Sequence, residues 1–296
     1  MKLAVYDLNR IALVEGDMLY DVTDVMPSAG DTWPPTQMTR LIADWEALQP
    51  RLIEHRRNAQ PIPRHTVTLR SPQPLPFNVV AAPANYRKHV GELGNRAVVP
   101  VGKSARDVGF FLKSGSSVVG ADEAILLPPH SKRRYDHECE LAVIIGKRAK
   151  TVSRDDAMSH VFGYSCLIDA TMRLDPDRVP EERVMRKSFD TFTPLGPYIV
   201  TADEVADPHA LTTGLWVNGI QKQSANTRDL IVDIPGLIEM ISSVMTLYPG
   251  DVIATGTPEG VGPIEPGDQV RIAIESVGDM TIAVRTDENR PPQPFE

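Results

Sequence analysis

Cysteine is scarce in this chain. There are two in 296 residues, Cys139 and Cys166, each inside an apolar strand-like segment and neither in a C-x-x-C pair. That pattern reads as buried free thiols in a reducing compartment. Long apolar runs are missing too. None approaches the ~18 residues needed to cross a bilayer, and the opening MKLAVYDLNR is broken by Asp7 and Arg10, so it lacks a signal-peptide core. A soluble, cytoplasmic protein with no membrane partner is expected. Positive charge is in deficit, 31 basic against 39 acidic residues for a net −8. No basic cluster with interleaved aromatics occurs, and Lys132-Arg133-Arg134 reads as a solvated turn. Nucleic acid is therefore not an expected partner. No G-x-G-x-x-G opens a helix after a strand and no G-x-x-x-x-G-K-[ST] occurs, which argues against nucleotide cofactors. A G-x-S-x-G elbow and an H-E-x-x-H are absent as well, removing the usual signs of a serine hydrolase or a zincin. No fixed-period repeat is visible.

The length suits one large domain or a main domain with an annex. Residues 2–25 read as three short strands, followed by a helical stretch from Gln37 to Arg57 that Pro50 should kink or divide. The segment from Pro61 to Pro76 reads as a linker with one embedded strand, His65–Leu69. A boundary is placed there, with residues 1–70 as a small annex and 75–288 as the main unit. Residues 289–296, rich in proline, are expected to be a loose tail. Strands dominate the main unit: Asn78–Ala82, Gly109–Lys113, Glu138–Ile145, Gly163–Asp169, Gly196–Val200, Leu215–Val217, Asp251–Ala254, Gln269–Glu275 and Met280–Arg285. Two helices are expected there. One starts at the cap Ser153, and one runs from Asp233 to Met245 with an apolar stripe that packs on the core.

Chemistry concentrates at a few places. In YDHECELAVIIG the side chains alternate faces, so Glu138 and Glu140 point one way while Cys139, Leu141, Val143 and Ile145 point the other. Two carboxylates on an otherwise apolar strand are costly to bury unless something neutralises them, and for adjacent oxygens the commonest neutraliser is a hard divalent cation. Taken alone, the pair favours a solvated strand face over a metal site. Asp169, ending the apolar strand from Gly163, is the best third carboxylate, either facing a site or capping a turn. Three oxygen donors suit octahedral Mg²⁺ or Mn²⁺ better than tetrahedral zinc. His89 and Glu92 are three apart and would share a helical face, giving either a general-base dyad or a surface pair. Lys187, before an aromatic and proline-rich segment, is either an oxyanion stabiliser or a surface lysine. Thr255-Gly256-Thr257-Pro258-Glu259-Gly260-Val261-Gly262 suits a bound carboxylate and equally a plain turn.

The order of these pieces is the strongest signal. N-Y-x-x-H-x-x-E, F-x-K-S, E-x-E-L-A-V-x-I-G, G-Y-x-x-x-x-D-x-T-x-R, K-S-F-D-T-F-x-P-L-G-P and A-T-G-T-P-x-G-V-G begin at Asn85, Phe111, Glu138, Gly163, Lys187 and Ala254. This series resembles the fumarylacetoacetate hydrolase family over about residues 75–285. The resemblance implies a mostly β (α+β) fold, a mixed β-sandwich roll with a small N-terminal annex, assembled as a homodimer. It implies that Glu138, Glu140 and Asp169 hold Mg²⁺ or Mn²⁺, with Ca²⁺ able to take their place. His89 and Glu92 would form a dyad on a mobile lid, Lys187 would face the reacting carbonyl, and Thr257 would hold the carboxylate of a small 2-oxo acid. Tyr86 and Gly256 would line the substrate, and Arg106 would meet a distal acid group. One departure is Met172 and Leu174 around Arg173, where many relatives carry Ala and an acid. The expected reaction is hydrolysis of a C–C bond in a 2,4-dioxo acid (an acylpyruvate). An oxaloacetate-type decarboxylase, or an isomerase or hydratase of a 2-oxo-enoic diacid from aromatic breakdown, is the alternative on the same metal. A non-catalytic Ca²⁺-binding protein would leave His89, Glu92 and Lys187 without roles.

Overall fold

The structure is a computed structural model that describes residues 1–26, 34–92, 102–173 and 183–289. Leu174, most of the expected lid beyond Glu92 and the proline-rich tail from Arg290 lie outside the described residues.

Its centre is the strand Cys139–Ile145, every residue of which is buried. A strand covered on both faces reads as a continuous apolar run, and CELAVII does so. It pairs antiparallel with Val161–Ile168 on one side and with Val252–Ala254 on the other. From there the sheet runs outward through Thr193–Thr201 to Lys2–Tyr6, Arg10–Glu15, Met18–Asp21 and Pro61–Pro63. In the other direction it ends in Val79–Ala81 and Phe111–Lys113. The first strand of the chain thus pairs with the Thr193–Thr201 strand, Lys2 opposite Val200.

Each face of this sheet meets a different partner. Cys139, Leu141, Val143 and Ile145 share a core with Leu215, Val270, Ile272 and Ile282. Those four belong to a second, five-stranded sheet ordered Ile220–Asn226, Thr212–Val217, Gln269–Ile274, Gly278–Thr286 and Ala124–Leu127. Ala142 and Ile144 face the opposite core, formed with Met38, Leu41, Ile42, Leu48 and Leu52 of two N-terminal helices. Each fully buried Val, Leu or Ile here contributes about 1.5–3 kcal/mol. The result is the mostly β, α+β architecture expected, two packed sheets with helices on the outer face.

All nine expected strands of the main unit are present, with ends shifted by a few residues. Three local expectations are corrected. The helical stretch divides at Asp44 and not at Pro50, giving Gln37–Ala43 and Trp45–Arg56. Pro50 sits inside the second helix, where the carbonyl it leaves without a partner is that of exposed Glu46, near the helix start. His65–Leu69 is not a strand: Arg64–Thr66 forms a 3₁₀ turn and only Leu69–Arg70 pairs, with Tyr6 and Val5. The Ser153 cap starts no α-helix. Ser153 and Asp156 do hydrogen-bond reciprocally, but only a 3₁₀ turn, Ala157–His160, follows before the strand at Val161 begins. The expected C-terminal helix is found at Ile234–Val244, capped by the Asp233 side chain on the Gly236 N–H.

Candidate metal and substrate site

Glu138 lies just before the central strand, Glu140 is its second residue, and Asp169 follows the paired strand Val161–Ile168. Cys139 faces Ile168 across the ladder and the Asp169 N–H donates to the Glu138 carbonyl, at 2.9 Å. This register brings the three carboxylates together, with one oxygen of each within 4.8 Å of the others. Glu138, Glu140 and Asp169 are 5 %, 3 % and 1 % exposed. The solvated-face reading of E-x-E is thereby excluded.

Buried carboxylates need counter-charge. Lys187 Nζ donates to Glu138 Oε2 (2.8 Å) and Asp169 Oδ2 (2.5 Å), and Lys113 Nζ to Asp169 Oδ1 (2.5 Å) and the Phe192 carbonyl (3.1 Å). Arg173 bridges Glu138 Oε1 and Asp136 Oδ2, each at 2.6 Å, and Arg134 takes the other oxygen of Asp136. Glu140 is different. Among the described residues its carboxylate accepts one hydrogen bond, from the Gly256 N–H at 2.7 Å, and meets no cation directly. Burial, then the charges of Asp169 and Glu138, push the Glu140 carboxyl well above its usual range. Glu138 goes the other way: burial would raise it, but Lys187 and Arg173 outweigh burial and hold it low, with His89 adding to the effect. Burial also lowers the Lys113 ammonium, partly countered by Asp169. A buried all-oxygen donor set with one carboxylate short of positive charge fits a hard divalent cation such as Mg²⁺ or Mn²⁺.

The expected contact between His89 and Glu92 is present as well. His89, 3 % exposed, and Glu92 lie on the short helix Arg87–Glu92, with Nδ1 3.1 Å from Glu92 Oε2. A carboxylate can only accept there, so Nδ1 carries the proton and Nε2 is the basic nitrogen. Glu92 Oε1 accepts the Gly260 N–H at 2.9 Å. Burial raises the Glu92 carboxyl, but the His89 and Gly260 hydrogen bonds outweigh that and hold it low.

The remaining expected residues divide. Tyr86 is 2 % exposed beside the Leu230 bridge, its hydroxyl pushed up by burial and then by nearby charges that include Glu140. Thr257 is 3 % exposed and accepts from Gln223 Nε2 at 2.9 Å. Gly256 contributes its N–H to Glu140, leaving no second donor for a substrate; its φ of +102° and the 2.6 Å from an added Cβ to Asn85 Cβ explain why glycine stands there. Arg106 is exposed and bonds the Ile231 carbonyl at 3.2 Å. It lines a cleft of about 400 Å³ with Arg154, His209, Arg228 and Asp233, none of them a triad residue. Sequence reasoning gave no role to Lys113 and Arg173, although both stand in the quoted motifs. Asp136 and Gln223 carried no sequence signal of their own.

The fumarylacetoacetate (FAA) hydrolase C-terminal family matches residues 78–285. The maleylpyruvate hydrolase of Aquipseudomonas alcaligenes is 43 % identical over 294 residues, covering 97 % of this chain and 100 % of that protein. The crystal structure of maleylpyruvate hydrolase from Sphingobium sp. SYK-6 in complex with manganese(II) ion and pyruvate is also 43 % identical. It superposes with a TM-score of 0.85 over 97 % of this chain and 99 % of that one. The 2-hydroxyhepta-2,4-diene-1,7-dioate isomerase of Mycobacterium marinum is 30 % identical, with a TM-score of 0.72 over 97 % of this chain and 99 % of that one.

Proposed function

The chain belongs to the fumarylacetoacetate hydrolase family, and from that premise we propose that it is a metal-dependent hydrolase of a 2,4-dioxo acid, releasing pyruvate and a carboxylate. The carrying observation is the buried triad of Glu138, Glu140 and Asp169 together with the His89–Glu92 pair, whose histidine is near enough for its charge to act on Glu138. The manganese and pyruvate in the Sphingobium relative support the same ligand set here.

In this reading Glu138, Glu140 and Asp169 hold Mg²⁺ or Mn²⁺, with Ca²⁺ as a substitute. When bound, the cation supplies a Lewis acid for the oxygens of a 2-oxo acid. His89 Nε2 takes a proton from water, and the resulting hydroxide adds to the C4 carbonyl. Glu92 fixes the imidazole tautomer and is itself fixed by Gly260. Lys187 stabilises the oxyanion at C4. The C3–C4 bond then breaks, C4 leaves as the carboxylate, and C3 takes a proton to complete pyruvate. Thr257 and Tyr86 bind the substrate. Arg106, in a cleft lined by no triad residue, would meet the distal acid group of the substrate.

The isomerase from Mycobacterium marinum supports the second reading, proton shuttling on a 2-oxo-enoic diacid without water attack. We also propose a cytoplasmic homodimer; the 80 % exposure of Phe77, edge-on to Tyr248, supports a covered surface there, and light scattering measures the mass directly. The annex of residues 1–70 and the catalytic unit of 75–288 complete this reading.

The test is turnover of acetylpyruvate, followed as loss of enol absorbance, with Mn²⁺ and then with EDTA, alongside maleylpyruvate. Metal-dependent release of equal pyruvate and acetate is expected. Loss of neither substrate, with conversion of oxaloacetate or an enoic diacid under the same conditions, would overturn the hydrolase reading.

A further inference from the structure

The strand Ile220–Asn226 is mostly exposed and polar, yet Gln223 within it is 1 % exposed. The ladder shows how this happens. Leu215 pairs with Gln223 and Trp216 with Gln221, so Lys222 is an extra residue, a β-bulge that turns Gln223 inward. Both ends of its amide are fully used. Oε1 accepts from the Cys139 N–H (3.0 Å) and His137 Nδ1 (3.1 Å), while Nε2 donates to the Pro258 carbonyl and to Thr257 Oγ1, both at 2.9 Å. The backbone partners fix the orientation, because an N–H can only donate and a carbonyl only accept. Thr257 Oγ1 is therefore an acceptor toward Gln223, and its own proton must point elsewhere. Among the described residues no acceptor takes it.

We propose that Gln223 is a positioning residue that aims the Thr257 hydroxyl proton into the substrate site, making Thr257 a dedicated hydrogen-bond donor to the substrate carboxylate. This rests on the reading of Thr257 as a carboxylate contact. Gln223 also links that contact to the metal-binding strand through Cys139. The bulged Lys222 carbonyl packs so closely on the same loop that a Cβ on Gly260 would lie 2.0 Å from it. Gly260 in turn holds Glu92. One amide thus stands where substrate binding and the general-base dyad meet.

Gln223→Glu keeps the shape and replaces the donor with an acceptor, so the Thr257 proton is drawn away from the substrate. The probe is pyruvate, titrated by calorimetry into the Mn²⁺-loaded protein, with KM for acetylpyruvate measured in parallel. Thr257→Val is expected to weaken pyruvate binding by about 10-fold or more, the usual effect of losing a hydrogen bond to a charged acceptor. Gln223→Glu should match it, and the double variant should be no worse than either single. Mn²⁺ affinity should stay as in the unmodified protein for Thr257→Val and for an uncharged Gln223 variant. Should Gln223→Glu fail to fold, Gln223→Met, uncharged and of similar size, replaces it with the same expected non-additivity. Multiplying losses, or unchanged pyruvate binding in a folded Gln223 variant, would overturn the proposal. Unchanged binding in Thr257→Val would overturn it through its premise. An enzyme that binds pyruvate but turns over no dioxo acid would sink the hydrolase reading and leave Gln223 testable.

Discussion

Glu140→Gln tests the metal site because the structure demands two opposite effects from it. In the metal-free protein, burial and the charges of Asp169 and Glu138 raise the Glu140 carboxyl well above its ordinary 4.5. A raised folded-state pKa means that the folded protein binds a proton the unfolded chain has released. Stability then falls as pH rises from 4.5 through the folded value, by at most about 1.4 kcal/mol per pH unit. The metal-free protein should therefore lose stability, and Tm, as pH rises above 4.5. Glu138 is held low, so its contribution lies below 4.5 and does not overlap. Glutamine mimics the protonated acid, and its carbonyl can keep the Gly256 N–H. The metal-free variant should therefore match or exceed the parent at pH 8 and show a flatter slope. Mn²⁺ reverses the order: at 100 times Kd it should stabilise the parent by about 2.7 kcal/mol, roughly 5 °C in Tm for a chain of this size, and the variant by much less. Thermal melts at pH 6, 7 and 8, with Mn²⁺ and with EDTA, read both effects. A metal-free variant several degrees less stable at pH 8 would refute the repulsion argument. A full Mn²⁺ shift in the variant would remove Glu140 from the ligand set.

Two further substitutions separate the roles around the triad. Lys113→Met strips Asp169 Oδ1 and the Phe192 carbonyl of their fully buried cation; breaking such a pair should cost about 3–5 kcal/mol in the EDTA-treated protein, with Mn²⁺ recovering part of it. Denaturant midpoints with and without metal measure this, and an unchanged midpoint would contradict it. His89→Ala should cut acetylpyruvate turnover by roughly 10²–10⁴ while leaving the Mn²⁺-induced rise in Tm intact. Retained activity would exclude the dyad as the general base.

Local signals in the sequence carried a good part of this. The apolar strand Cys139–Ile145 and the helix after Asp233 were legible because burial on two faces, or on one stripe, leaves a pattern in adjacent letters. The i, i+3 spacing of His89 and Glu92 was legible for the same reason. Boundaries decided by competition were not. Asp44 rather than Pro50 divides the N-terminal helices, and the Ser153 cap yields to the strand that begins at Val161.

What the sequence alone supplied was a set of candidates: two glutamates at spacing two, an aspartate ending a strand, a histidine–glutamate pair and a lysine, in an order that resembles one enzyme family. Only the tertiary structure decided how their charges balance. Lys113 reaches Asp169 across 56 positions, and Arg173 reaches Glu138 across 35 and joins it to Asp136. Gln223 enters from a polar, mostly exposed strand because a bulge turns it inward. Propensity and periodicity act on neighbouring residues, whereas counter-charge and hydrogen-bond direction in a buried site are set by strands that meet only when the sheets pack.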